Sequence, residues 1–159
     1  QPRWPAPFLG TITHTDGYCA AVVGHADELH GLGVDSEPIE AVRPYLWPRI
    51  CSPPELDRLR SLAPRSQPLL AALIFVAKEA FFKCQFATAR ERLNFDAVAV
   101  QIEERKLEEP EPGLGSFRIQ PLRPLALEAH VCADAGGWQG RFRRHDGFMT
   151  AAIALPARG

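Results

Sequence analysis

The chain has 159 residues, 46% of them hydrophobic and 23% charged, which is the balance of a soluble globular protein with one core. Its formal net charge of −1 lacks the basic excess that nucleic acid or an anionic membrane surface would call for, so neither is expected as a partner. The longest apolar run, Pro68 to Ala77, is stopped by Lys78 and is too short to cross a bilayer, and no secretory signal pattern opens the chain.

Gln1 to Phe8 holds Pro2, Pro5 and Pro7 and reads as an extended lead-in; no initiator methionine heads it, so the chain reads as an excised piece of something longer. Thr11 to Val23 has the pattern strand, turn, strand, with Thr15-Asp16-Gly17 supplying the turn chemistry. Leu32 to Glu37 is a short strand-like run after Gly31. Ser52-Pro53-Pro54-Glu55 is a helix start: Ser52 caps, Pro53 suits the first helical position, and Glu55 completes a capping box. That helix is expected to reach about Leu62.

Ser66 to Phe86 is the strongest helix, with Leu69, Leu70, Leu73, Ala77, Ala80, Phe81 and Cys84 at helical spacing. Asn94 to Ile102 then alternates, placing Val98, Val100 and Ile102 on one face. Glu103 to Gly115 is charged and broken by Pro and Gly, an exposed loop by composition. Ser116 to Gln120 and Ala126 to Cys132 are expected strands. Trp138 to Arg144 and Phe148 to Leu155 flank His145-Asp146-Gly147, a hairpin signal. The predicted class is α+β, an antiparallel sheet packed against a long helix, in a single domain spanning residues 1–159.

Four cysteines, at 19, 51, 84 and 132, contain no CxxC pair, so neither a zinc site nor a redox motif is indicated. Cys19 and Cys84 lie in apolar segments, where cysteine behaves as a small buried hydrophobe. All four are read as reduced and structural, which favours a cytoplasmic protein.

Three polar groupings carry candidate chemistry. Asp35 and Glu37 are two apart in a strand, so both carboxylates project to one side, where a Mg²⁺ ion would relieve their repulsion. On spacing alone, two solvated surface acids remain open beside that reading. Lys78, Glu79 and Lys83 interrupt a strongly apolar helix, and Glu79 and Lys83 share a face. An ordinary helix-surface ion pair has the same spacing, but a helix buried around most of its circumference must put such charges in a cleft or at a rim. Thr13 and His14, near the end of a β run, are a weaker candidate for binding phosphate.

Taken in order, these pieces resemble one family. Gly10-Thr11-Ile12-Thr13-His14 followed by Gly17-Tyr18-Cys19-Ala20-Ala21-Val22-Val23 resembles a segment of 4′-phosphopantetheinyl transferases of the siderophore-synthetase and surfactin type, as does Trp4-Pro5 before it. Gly33-Val34-Asp35-Ser36-Glu37 matches that family's G(I/V)DxE motif, and Phe75 through Lys83 its (F/W)xxKEAxxK motif. Leu93-Asn94-Phe95-Asp96 and the stretch from Gly140 to Ala151 are similar to its following segment and closing hairpin. The resemblance implies that Asp35, Glu37 and Glu79 hold Mg²⁺ (Mn²⁺ suits the same oxygen ligands), and that Lys83 and Lys78 contact coenzyme A phosphates. It implies that His14 and Thr13 bind a phosphate of the coenzyme. It also implies that Glu79 or a metal-bound water takes the proton of a serine on an acyl or peptidyl carrier protein, with Glu79 and Lys83 as the catalytic residues.

Enzymes of that type have two similar halves with the coenzyme between them, and the G(I/V)DxE motif sits near the start of the second. Here it begins at residue 33, so most of the first half is missing. Three expectations follow: a fragment needing its partner half, a short form that self-associates to rebuild the cleft, or a non-catalytic module that binds coenzyme A or carrier protein. Intact Asp35, Glu37, Glu79 and Lys83 oppose the last, and the apolar face left by a lone second half favours self-association or a partner chain.

Overall fold

The structure is a computed structural model that describes residues 2–102, 113–126 and 138–157. The first element is a two-stranded antiparallel ribbon, β1 (Phe8–Thr15) and β2 (Tyr18–His25), turned at Asp16-Gly17, where Gly17 takes φ 75°. β3 (Leu29–Pro38) follows and leads through two short 3-10 turns into α1 (Trp47–Ile50), α2 (Pro53–Ser61) and α3 (Gln67–Ala89). The remaining strands are β4 (Val98–Ile102), β5 (Gly113–Pro121), β6 (Trp138–His145) and β7 (Phe148–Pro156). They join β3 in an antiparallel five-stranded sheet of order β3-β7-β6-β5-β4. The α+β architecture is as the sequence predicts.

Period-two alternation decides which side of the sheet is wet. On β6 and β7, Trp138, Phe142, Met149, Ala151 and Ile153 are buried, while Gln139, Arg141 and Arg143 between them are exposed. The buried set meets α3, whose Leu73, Ile74, Val76 and Phe81 are at most 1% exposed. Phe81 meets Trp138 edge-on at 4.8 Å. The β6–β7 turn sits at Asp146-Gly147, with φ 49° and 77°, the left-handed pair that a tight two-residue hairpin requires. α3 ends where Arg90 takes φ 57°.

β3 crosses α3 at Gly33. A Cβ there would overlap the Ala80 carbonyl oxygen and stand 2.8 Å from the Cys84 nitrogen, both backbone atoms that no rotamer change can move. Glycine at this position sets the strand-to-helix distance and so the separation of the acids on β3 from Glu79. Gly33→Ala is expected to cost about 3 kcal/mol, at the upper end of ordinary overpacking. That corresponds to a fall in Tm of about 6–12 °C, checked by circular dichroism. An unchanged Tm would mean that the elements are less tightly apposed than described.

Some expectations differ from the structure. β3 is longer at both ends than Leu32 to Glu37, and β5 begins at Gly113 rather than Ser116. Most of the expected loop after Glu103, and the expected strand after Ala126 with Cys132, lie outside the described residues. Cys19 is exposed, not buried, because β2 has no fully buried position: the ribbon stands apart from the main sheet. Cys51 and Cys84 are free, and burial pushes both thiols up to about 12, which leaves them poor nucleophiles. No helix among the described residues is long and apolar enough to cross a membrane.

Candidate active site

The site forms where β3, the free edge of the main sheet, meets α3 on one side and β1 on the other. Lys83 leans from α3 across this edge. Its Nζ donates to Asp35 Oδ1 at 2.7 Å, to the Val34 carbonyl at 3.0 Å and to the Ile12 carbonyl at 3.2 Å. All three N–H groups are therefore committed, although the side chain is still 32% exposed. Asp35 is 5% exposed, and its Oδ1 also accepts the Thr13 hydroxyl at 3.2 Å. Glu37 Oε2 accepts the Thr15 hydroxyl at 2.8 Å.

Asp35, Glu37 and Glu79 lie within electrostatic reach of one another. Burial raises the pKa of Glu79, Asp35 raises it further, Lys83 opposes, and Glu37 adds a smaller increment. Burial also raises Glu37; the Thr15 hydrogen bond opposes it, Asp35 raises it again, and Lys83 and His14 lower it. Three carboxyl groups against one lysine is a local excess of acidic groups.

The sign of the resulting linkage is fixed. A carboxyl whose folded pKa is raised stabilises the fold below its unfolded pKa, and that contribution is lost as pH rises through the folded value. Glu79→Gln is therefore expected to be more stable than wild type at pH 7, with the difference shrinking as pH falls through the raised folded value and gone below the ordinary glutamate value of 4.5. Paired melting curves from pH 4 to 8 check this; a variant less stable at pH 7 would mean that the carboxylate is held favourably.

These residues fit a divalent cation. Asp35 Oδ2 is buried and accepts no hydrogen bond, while Thr13 and Lys83 both converge on its Oδ1. A buried carboxyl oxygen left without a partner near two further carboxyl groups is costly unless a positive group faces it. Hard oxygen donors of this kind suit Mg²⁺ or Mn²⁺. Among the described residues, no three His, Cys, Asp or Glu side chains are already gathered as a ligand set. The fit rests on the bare oxygen and on the charge imbalance.

Two of the residues expected to touch phosphate are placed elsewhere. Lys78 is completely buried, and its ammonium donates to Glu55 Oε2 at 2.8 Å, the Ile50 carbonyl at 2.9 Å and the Phe95 carbonyl at 2.8 Å. No donor is left for a ligand. Successive helix residues are about 100° apart around the axis, so Lys78 points inward while its neighbour Glu79 faces β3. Thr13 is 1% exposed and its single hydroxyl proton goes to Asp35, so it cannot donate to a phosphate as placed. His14, the next strand residue, is exposed on the opposite side of β1, near enough to Glu37 to favour its charge.

The sequence reading did not assign the other members of these networks. Thr11 and Thr15 flank Thr13 at period two, a signal that was present. From the sequence Glu55 reads as a capping residue. Its Oε2 does accept the Ser52 N–H at 2.7 Å, but its Oε1 also accepts the Val100 N–H at 2.7 Å, which ties α2 to β4. Two grooves flank the site. One of about 520 Å³ opens beside Lys83 between Ile12, Leu32, Phe82 and Phe86. The other, of about 590 Å³, opens beside Glu79 between Ile50, Phe75, Phe82 and Phe95.

A family model described as the 4′-phosphopantetheinyl transferase superfamily matches residues 31–133. The chain is 31% identical to the 4′-phosphopantetheinyl transferase Npt of Nocardia iowensis, over 96% of this chain and 67% of that protein. It is 29% identical to Svp of Streptomyces mobaraensis, over 98% of this chain and 60% of that protein. It is 32% identical to PptT of Mycobacterium tuberculosis, over 65% of this chain and 45% of that protein. The chain thus spans between about half and two thirds of these relatives' lengths. The fold is shared with holo-[acyl-carrier-protein] synthases. That of Thermotoga maritima gives a TM-score of 0.55 at 21% identity, over 82% of this chain and 65% of that one. The Bacillus anthracis protein gives 0.57 at 17% identity, over 82% of this chain and 99% of that one. The family match covers more than half the residues and takes in both the Asp35–Glu37 strand and the Glu79–Lys83 helix, and on that ground the chain belongs to the 4′-phosphopantetheinyl transferase superfamily.

Proposed function

We propose that this chain carries the carboxylate side of a phosphopantetheinyl transferase site and takes part in moving the phosphopantetheine arm of coenzyme A to a serine of an acyl or peptidyl carrier protein, in the cytoplasm. The serine oxygen would form a bond to the phosphorus that bears the pantetheine arm. The bond from that phosphorus to the bridging diphosphate oxygen would break, and adenosine 3′,5′-bisphosphate would leave. Charge builds on the phosphoryl and leaving oxygens, so catalysis is chiefly positioning and cation stabilisation. The bare, buried Asp35 Oδ2 beside Glu37 and Glu79 is the observation that carries this reading.

Asp35, Glu37 and Glu79 would hold the Mg²⁺ ion, which supplies charge neutralisation and orientation of the diphosphate when bound. Lys83 would exchange a backbone carbonyl for a phosphate oxygen while keeping Asp35 in place. His14, exposed beside Glu37, would meet a coenzyme phosphate. Glu79, or a water held by the cation, would accept the serine proton.

A partner half or self-association belongs to this proposal. Phe8, Val22 and Val23 on the β1–β2 ribbon are 46%, 39% and 50% exposed, and among the described residues β2 pairs along one edge alone, with β1. The test is the intact mass of an apo-carrier protein after incubation with the chain, coenzyme A and Mg²⁺, with an EDTA control. A gain of one phosphopantetheine, lost with EDTA, supports the transferase. No gain until a first-half polypeptide is added identifies a fragment. No gain in either case overturns the proposal in favour of a non-catalytic binding module.

A further inference from the structure

We propose that the alternate threonines of β1 are positioning residues for the acidic pair: Thr13 aims the Asp35 carboxylate and Thr15 the Glu37 carboxylate toward the cation. The inference rests on the divalent-cation reading above. It moves Thr13 from the coenzyme to the acids and gives Thr15 a role.

β1 and β3 belong to separate sheets, so no backbone ladder joins them. Threonine hydroxyls bridge the gap instead. Thr11 Oγ1 accepts the Val34 N–H at 3.4 Å, and Thr13 Oγ1 accepts the Ser36 N–H at 2.9 Å. The hydroxyls also donate, Thr13 to Asp35 Oδ1 at 3.2 Å and Thr15 to Glu37 Oε2 at 2.8 Å. The pattern advances by two residues on each strand at every step, so one face of β1 reads the edge of β3 in register. A hydroxyl is the one small group that can accept a backbone N–H and donate to a carboxylate at the same time, and threonine adds β-branching suited to a strand.

The arrangement around Asp35 is asymmetric in a useful way. Thr13 and Lys83 both bind Oδ1, which fixes rotation of the carboxylate and leaves Oδ2 aimed and bare. Without the Thr13 hydroxyl, Lys83 alone would hold Oδ1, and the broad torsion of the carboxylate would be less restricted. Thr15 does the same for Glu37 from the more open end of β1. Partners of this kind are typically worth about 10–100-fold in metal affinity.

The experiment is a Mn²⁺ titration of the full chain, with free Mn²⁺ counted by electron paramagnetic resonance, on wild type, Thr13→Val, Thr13→Ser and Thr15→Val. Circular dichroism melts of each confirm folding. Valine keeps the shape and removes the hydroxyl; serine keeps the hydroxyl. The expected result is binding weakened about 10–100-fold in both valine variants, with Thr13→Ser close to wild type. Wild-type affinity in both folded valine variants would overturn the positioning role and leave the cation reading standing. Absence of Mn²⁺ binding in wild type would overturn the cation reading and this inference with it. If Thr13→Val does not fold, Thr15→Val decides the question, because Thr15 is only half-buried and its hydroxyl bonds the Glu37 side chain rather than the β3 backbone.

Discussion

Glu79→Gln is expected to reduce phosphopantetheine transfer by about 10³-fold or more while the protein stays folded. The side chain sits on α3 within electrostatic reach of Asp35, Lys83 and Glu37, with burial as the main influence on its ionisation. Glutamine keeps its shape and removes both the charge and the proton acceptor. Loss of a cation-holding charge is worth several kcal/mol of transition-state stabilisation, and about 1.4 kcal/mol is a factor of ten. The time course of carrier mass gain, read beside a circular dichroism melt, separates loss of chemistry from loss of fold. The two readouts are expected to move in opposite directions, since the variant should melt higher at pH 7. Turnover near the wild-type rate would remove Glu79 from the site.

Lys78→Met, one residue away, is expected to behave in the reverse manner, costing about 3–5 kcal/mol of stability. Lys78 is 0% and Glu55 6% exposed, and the ammonium ties together Ile50 at the end of α1, Glu55 on α2 and Phe95 before β4. Removing it leaves a buried carboxylate uncompensated and two carbonyls unpaired. For a chain of this size the fall in Tm is about 6–20 °C. Adding Glu55→Gln is expected to recover at least half of the loss, because a neutral amide no longer needs the cation and its oxygen can still accept the Ser52 or Val100 N–H. A Lys78→Met protein that melts like wild type but transfers poorly would return Lys78 to the coenzyme.

Several elements were legible because their causes are local. The Asp146-Gly147 hairpin follows from turn chemistry, α2 from the Ser52–Glu55 start, and α3 from a long apolar run with helical spacing. The strand alternation placed Asp35 and Glu37 on one side, and motif order placed Glu79 and Lys83 near them. For Thr13 and His14 a geometric rule was at hand. Thr13 and His14 are adjacent in a strand, so their side chains leave on opposite faces and cannot serve one ligand in the same way.

The Lys78–Glu79 pair was harder. α3 is buried around nearly its whole circumference, so hydrophobic periodicity does not say which of two neighbouring charges points inward. Cys19 lies in an apolar segment, yet β2 stands outside the main sheet and leaves it exposed.

By itself the sequence determined the α+β class, the two hairpin turns, the long helix and the residue types that can gather charge at one place. Only the tertiary structure decided that β3 lies at the sheet edge, that Lys83 spans from α3 to β1, that the β1 hydroxyls hold the acids, and that Lys78 belongs to the core. Turns and helices follow from interactions a few residues apart, whereas the Lys83, Lys78 and threonine hydrogen bonds join residues 17 to 71 positions apart, the β3–β7 pairs are further apart still, and all exist only once the strands and the helix have packed.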